Sequence, residues 1–123
     1  MKKILFVLFL FSASIAIAQN PMQFAGTKHS FGKIAQNVPK AYIFTFKNVS
    51  AKPLVVEIAT AECGCTTPEY PKQPIAKGKE GQIKVTYNAA APGAFSKKVT
   101  VKFAGVDEPT VLTIEGVVIT KKS

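Results

Sequence analysis

Cys63-Gly64-Cys65 holds the only two cysteines of a 123-residue chain, one residue apart. Thiols at that spacing can close into a disulfide, hold a metal, or cycle between the two redox states. On an extended strand, residues i and i+2 share a face, so a strand would present both sulfurs together. Gly64 carries no Cβ and could bend the backbone to draw them closer. A disulfide closed over one residue is tight and readily reduced. It also closes a minimal loop and so adds little stability. The spacing therefore suits a redox couple, while a local structural role that bonds or packs a strand end stays open beside it. Two thiolates could also hold Cu(I) in a low-coordinate site. A tetrahedral zinc site would need two more ligands. The single histidine, His29, falls in another predicted strand, and Glu62 and Glu69 beside the cysteines read as solvated side chains. Met1 is removed by processing and Met22 stands near the mature N-terminus, so neither supplies a ligand. No cofactor and no metal ligand set is assigned.

What surrounds the pair decides its compartment. Met1-Lys2-Lys3 is a basic start, residues 4–11 are unbroken apolar, and Ala16-Ile17-Ala18 matches the pattern cut by signal peptidase. The expectation is a signal peptide over residues 1–18, cleaved after Ala18, and one domain over residues 19–123. The apolar run is shorter than the ~20 residues a membrane span requires. No cysteine follows it for lipid attachment, and no later segment reads as transmembrane. The chain is thus expected in the periplasm or secreted, where thiols meet oxidising conditions.

The charge balance narrows the partners. Lys and Arg total 16 against 7 acidic residues, and every one of the 16 is Lys. Arginine supplies the planar fork that grips phosphates and base edges, so its absence argues against nucleic-acid recognition. The lysines alternate with apolar residues, as on solvated strand faces. One histidine builds no Ser-His-Asp set, no carboxylates pair, and no glycine-rich phosphate loop is present. The chain does not read as an enzyme. Tyr70 and Lys72 follow the cysteines closely enough in sequence to influence a thiol pKa.

The elements that must position the pair are strands. Tyr42, Phe44 and Phe46 alternate against Ile43, Thr45 and Lys47, and Leu54, Val56 and Ile58 against Val55, Glu57 and Ala59. The same period of two runs through Ile83, Val85 and Tyr87, through Val99, Val101 and Phe103, and through Leu112, Ile114 and Val118. Two shorter strands are expected over residues 22–25 and 29–34. Turns break the runs at Asn48-Val49-Ser50, at 77–81, at Pro92-Gly93 and at Asp107-Glu108-Pro109. Pro68, Pro71 and Pro74 predict an extended, unpaired crossover over residues 66–74. Asn48-Val49-Ser50 also fits the N-glycosylation triplet, but a plain turn suffices there. About seven short strands in about one hundred residues predict an all-β fold, an immunoglobulin-like antiparallel sandwich. A closed barrel is the alternative.

Several short elements in order give the chain a family resemblance. They are Phe31-Gly32, Phe44-Thr45-Phe46-Lys47-Asn48, Pro53-Leu54, Cys63-Gly64-Cys65-Thr66, Pro74-Ile75, Ile83-Lys84-Val85-Thr86-Tyr87, Gly93-Ala94-Phe95 and Ile114-Glu115-Gly116-Val117. Together they resemble the Domain of Unknown Function 1573 family. Departures lie only in turns, at Asn48-Val49-Ser50 and Lys77-Gly78. The resemblance implies an exported bacterial sandwich, similar in shape to the Hydin and major sperm protein groups, and no activity. It makes Cys63 and Cys65 the candidate pair, with Gly64 and Thr66 as the rest of the motif. It favours a binding or structural module of the cell envelope that engages a protein partner through edge strands. A thiol-dependent redox or Cu(I)-binding role is the alternative, and oligomeric state is open.

Overall fold

Alternation of apolar and polar residues builds eight strands in the computed structural model, which describes residues 20–120. They are β1 (Met22–Phe24), β2 (Lys28–Ala35), β3 (Lys40–Asn48), β4 (Val56–Ala61), β5 (Thr66–Glu69), β6 (Glu80–Tyr87), β7 (Gly93–Phe103) and β8 (Thr110–Ile119). One sheet has the order β1-β3-β6-β5 and the other β2-β8-β7-β4. The two pack face to face as an immunoglobulin-like sandwich. The signal peptide expected over residues 1–18 lies outside the described residues. Among the described residues no helix is long and apolar enough to cross a membrane.

The core follows the period of two. Phe44 and Phe46 of β3, Ile83, Val85 and Tyr87 of β6, Val99, Val101 and Phe103 of β7, and Leu112, Ile114 and Val118 of β8 are all buried. Aromatic rings bridge the sheets. Phe46 meets Phe103 edge to face at 5.2 Å between centroids, and Tyr87 stacks on Phe95 at 4.1 Å.

Asn48 ends β3 and is fully buried. Its Nδ2 donates to the carbonyls of Lys52 and Ile75, both at 2.8 Å, and its Oδ1 accepts from Ser50 N–H and Oγ–H. The turn reading of Asn48-Val49-Ser50 therefore describes what this residue does. Its amide is occupied, and a glycan could not be attached without breaking one of the two donated bonds in a fully buried site.

Three expectations about strands need correction. Residues 66–69 are not unpaired: Thr66 to Glu69 pair antiparallel with β6, from Thr66↔Tyr87 to Glu69↔Lys84. Pro68 is accommodated because β5 is an edge, where one side of the strand needs no donors. This adds an eighth strand, and the passage from one sheet to the other falls earlier, at residues 62–65. Next, Ile58 does not point inward. The β4–β7 register shifts between Val56 and Ile58, leaving Ile58 49% exposed and Ala59 buried. One extra residue in a strand reverses the facing of every residue after it. Finally, pairing is not antiparallel throughout. β2 and β8 run parallel, because the chain crosses from β1 in one sheet to β2 in the other before β3.

Gly116 shows why one motif glycine is needed. A bulge in β2 at Gly32, with φ +68°, pushes the Gly32 carbonyl oxygen against β8. A Cβ on Gly116 would stand 2.8 Å from that oxygen and 3.0 Å from the Phe95 ring.

Candidate functional site

The chain leaves β4 at Ala61 and enters β5 at Thr66, so Cys63-Gly64-Cys65 is the turn that carries it from one sheet to the other. Polar groups on both sides fix that turn. Glu62 N–H donates to the Lys98 carbonyl at 3.3 Å, while its carboxylate Oε1 accepts from Lys98 N–H at 3.0 Å. The side chain thus replaces the backbone carbonyl that would have continued the ladder, which releases the strand to turn. Thr66 N–H donates to the Cys63 carbonyl at 3.3 Å, closing a four-residue turn, and Asn88 N–H donates to the Cys65 carbonyl at 2.9 Å. Below, Asn88 and Ala89 form a tight corner, with Ala89 fully buried at φ +57° and its carbonyl accepting from Asn37 N–H.

Cys63 and Cys65 are joined as a disulfide, with their Cα atoms 5.3 Å apart. An extended strand would separate them by about 6.6 Å. The turn, not a strand face, brings the sulfurs together. Both residues are half-buried, and Cys65 packs against the core. Thr66 is buried, and its Oγ1 lies 3.6 Å from Cys65 Sγ and 3.9 Å from Cys63 Sγ. Gly64 is exposed, a Cβ there would meet nothing within 4 Å, and its φ lies outside the left-handed region. The turn does not demand glycine, contrary to the expectation that Gly64 bends the backbone.

The other residues named from sequence disperse. His29 stacks on Tyr42, 3.7 Å between centroids and 6° between planes, in the gap between β2 and β3. Glu69 pairs with Lys84 across β5 and β6 at 4.0 Å. Tyr70 lies beyond the far end of β5, five residues and about 16 Å of extended chain from Cys65. Lys72 places its Nζ 3.6 Å above the Tyr70 ring, so neither residue attends the sulfurs. Among the described residues no three His, Cys, Asp or Glu side chains gather as a metal site.

Sequence reasoning missed Lys97. On β7 the inward face carries Phe95, Val99, Val101 and Phe103, and Lys97 lies in that series, half-buried. Val99 pairs with Ala61, and Lys98 bonds Glu62, so Lys97 is the first residue of β7 past the end of the β4 ladder, at the level where the chain turns. A charged residue in an otherwise apolar alternation was the available signal.

A second feature is an open edge. β1 covers only the end of β3, from Phe24↔Phe46 to Met22↔Asn48. Ala25 N–H bonds the Thr45 carbonyl and Val49 N–H the Pro21 carbonyl, which fixes the odd residues of β3 as those facing β1. Ala41 and Ile43 therefore turn their N–H and C=O outward with no backbone partner among the described residues. Ile43 is 46% exposed, and with Tyr70, Pro71, Ile75 and Lys84 it lines a groove of about 700 Å³ that lies over β6 and β5, away from this edge. On the other side of the edge lie the half-buried rings of His29, Phe31 and Tyr42.

Residues 22–118 match the family described as Protein of unknown function (DUF1573). The chain belongs to that family. None of the curated proteins matches it. Solved structures similar to this DUF1573 chain share its fold at low identity. A protein of unknown function from Porphyromonas gingivalis W83 aligns over 82% of this chain with a TM-score of 0.68 and 12% identity. The chain spans half the length of that protein. The ASH/PapD-like domain 7 of human CEP192 aligns over 83% of this chain and 87% of its own, with a TM-score of 0.70 and 6% identity. The YadV chaperone aligns over 85% of this chain and 55% of its own, with a TM-score of 0.57 and 15% identity. These likenesses show an immunoglobulin/PapD-like sandwich.

Proposed function

We propose that this DUF1573 chain is an exported binding module of the cell envelope, which takes an extended segment of another envelope protein onto the open edge of β3. The observation that carries this reading is the contrast among edges. β5 has four residues and contains Pro68, β4 carries a bulge at residues 56–58, and β2 carries a bulge at residues 30–33. Each of these devices discourages strand pairing. Residues 40–44 of β3 have neither proline nor bulge. An added strand would find the Ala41 and Ile43 backbone groups for its ladder. Its alternate side chains would meet the aromatic gap on one side and the exposed Ile43 side chain on the other. The fold shared with YadV, a chaperone, is consistent with a sandwich that engages other chains.

The test places a photo-crosslinking amino acid at Ile43 and, separately, at outward-facing Val111 in the host cell. Adducts to another envelope protein are expected from position 43 and not from 111. Ala41→Pro removes an outward N–H and should abolish the adduct while the fold persists. Equal adducts at both positions, or adducts indifferent to the proline, would end this reading. An adduct between two copies of the chain would replace it with a homodimer. Fractionation and N-terminal sequencing test the compartment, the expected mature start being Gln19.

A further inference from the structure

The geometry points to a thiol–disulfide exchange site at Cys63–Cys65 that accepts two electrons from the dithiol of a protein partner. In it Cys63 is the attacked sulfur, and Thr66 stabilises the Cys65 thiolate as it leaves. The inference is independent of the β3 edge.

The bond is dispensable to the turn that contains it. Three backbone hydrogen bonds hold residues 62–66 in place, from Glu62 to Lys98, Thr66 to Cys63 and Asn88 to Cys65. On opening, the two sulfurs would stay close, so the reduced and oxidised forms can share one backbone. A disulfide used as a staple closes a long loop, whereas this one spans a sequence separation of 2.

The two sulfurs are not equivalent. Both are half-buried, but Cys65 alone of the two packs against the core. Thr66 Oγ1 is nearer Cys65 Sγ, at 3.6 Å against 3.9 Å, and has no other hydrogen-bond partner among the described residues. A buried hydroxyl aimed at sulfur favours the thiolate over the thiol. Exchange is faster when the departing sulfur is the more stable thiolate. Thr66 thus makes Cys65 the leaving group.

The steps balance. A partner thiolate attacks Cys63 Sγ, forming a partner–Cys63 disulfide and breaking the Cys63–Cys65 bond. The Cys65 thiolate departs and is then protonated by water. The partner's second thiolate attacks its own sulfur in the mixed disulfide, closing the partner's disulfide and expelling the Cys63 thiolate. The partner loses two electrons and this chain gains them, ending as a dithiol.

The test uses the purified mature chain with reduced glutathione as the attacking thiol, quenched with acid, alkylated and read by intact mass. Opening of the wild-type bond within minutes is expected. Peptide fragmentation of the trapped mixed disulfide reports which sulfur is attacked: with limiting reduced glutathione, the glutathione should sit on Cys63 and the alkyl label on Cys65 in at least about nine-tenths of the adduct. Thr66→Val should slow opening of the wild-type pair by about tenfold, with Thr66→Ser restoring it. Should Thr66→Val fail to fold, Thr66→Ala supplies the second arm, since it removes the hydroxyl without adding a methyl in its place and should slow opening alike. A bond that stays closed in excess glutathione, glutathione divided equally between Cys63 and Cys65, or Thr66→Val exchange at the wild-type rate would each overturn the proposal.

Discussion

At the scale of single residues, the most constrained side chain is Asn48, not a cysteine. All four of its hydrogen-bonding positions are used, two donated and two accepted, in a site with no solvent exposure. Asn48→Ala removes them and orphans the Ser50 N–H, while the Ile75 carbonyl keeps the Leu54 N–H and the Lys52 carbonyl keeps the Ser50 hydroxyl. A loss of about 2 kcal/mol is expected, since one orphaned buried donor costs on the order of 1–3 kcal/mol. Urea denaturation of the variant measures it. Asn48→Asp should be no better, because a carboxylate offers the two carbonyls no donor. The sequence shows Asn48-Val49-Ser50 as a turn, yet nothing in it distinguishes a surface asparagine from a buried one. That difference comes from residues 52 and 75, which only the folded chain brings near. Gly64 errs in the opposite direction. Its place between two cysteines suggests a backbone demand, but the turn has room for a methyl group, so Gly64→Ala should change stability by less than about 0.5 kcal/mol in the same measurement.

At the scale of elements, the strong alternators β3, β6, β7 and β8 were legible because each carries a buried face through several residues. The elements that escaped are those whose facing or pairing is set by a neighbour. Pro68 hides β5, since proline marks a break unless β6 supplies an edge to lie on. The β4 bulge hides the exposure of Ile58, because an extra residue is invisible to a period counted along one strand. The parallel pairing of β2 with β8 is likewise non-local. Gly116 records that pairing in the sequence without naming its partner. Gly116→Ala should destabilise the fold by about 1–3 kcal/mol, as overpacking does, because the Gly32 carbonyl and the Phe95 ring both occupy the space of a Cβ. Thermal unfolding followed by circular dichroism checks this. If Gly32 and β2 can withdraw cheaply from β8, the loss will be near zero and the tight contact between these strands is not rigid.

At the scale of the whole molecule, the two sheets are held by their apolar interior, and the cysteine turn is one of several passages between them. The ring patches Phe46–Phe103 and Tyr87–Phe95, with the valines and isoleucines between, do the joining. A bond that closes three residues restricts the unfolded chain by about 1.5 kcal/mol at most on the loop-entropy scale. The double variant Cys63→Ser, Cys65→Ser should therefore fold, keep the same midpoint cooperativity in urea, and lose no more than that. A loss above about 3 kcal/mol would exceed what so short a loop can supply. The disulfide would then have to be holding the crossover against the packing around Thr66, and its place in electron exchange would weaken with it. The expected small loss leaves the pair free of structural duty. Its position, at an outer turn between two rigid sheets and backed by a buried hydroxyl, is then explained by chemistry at sulfur.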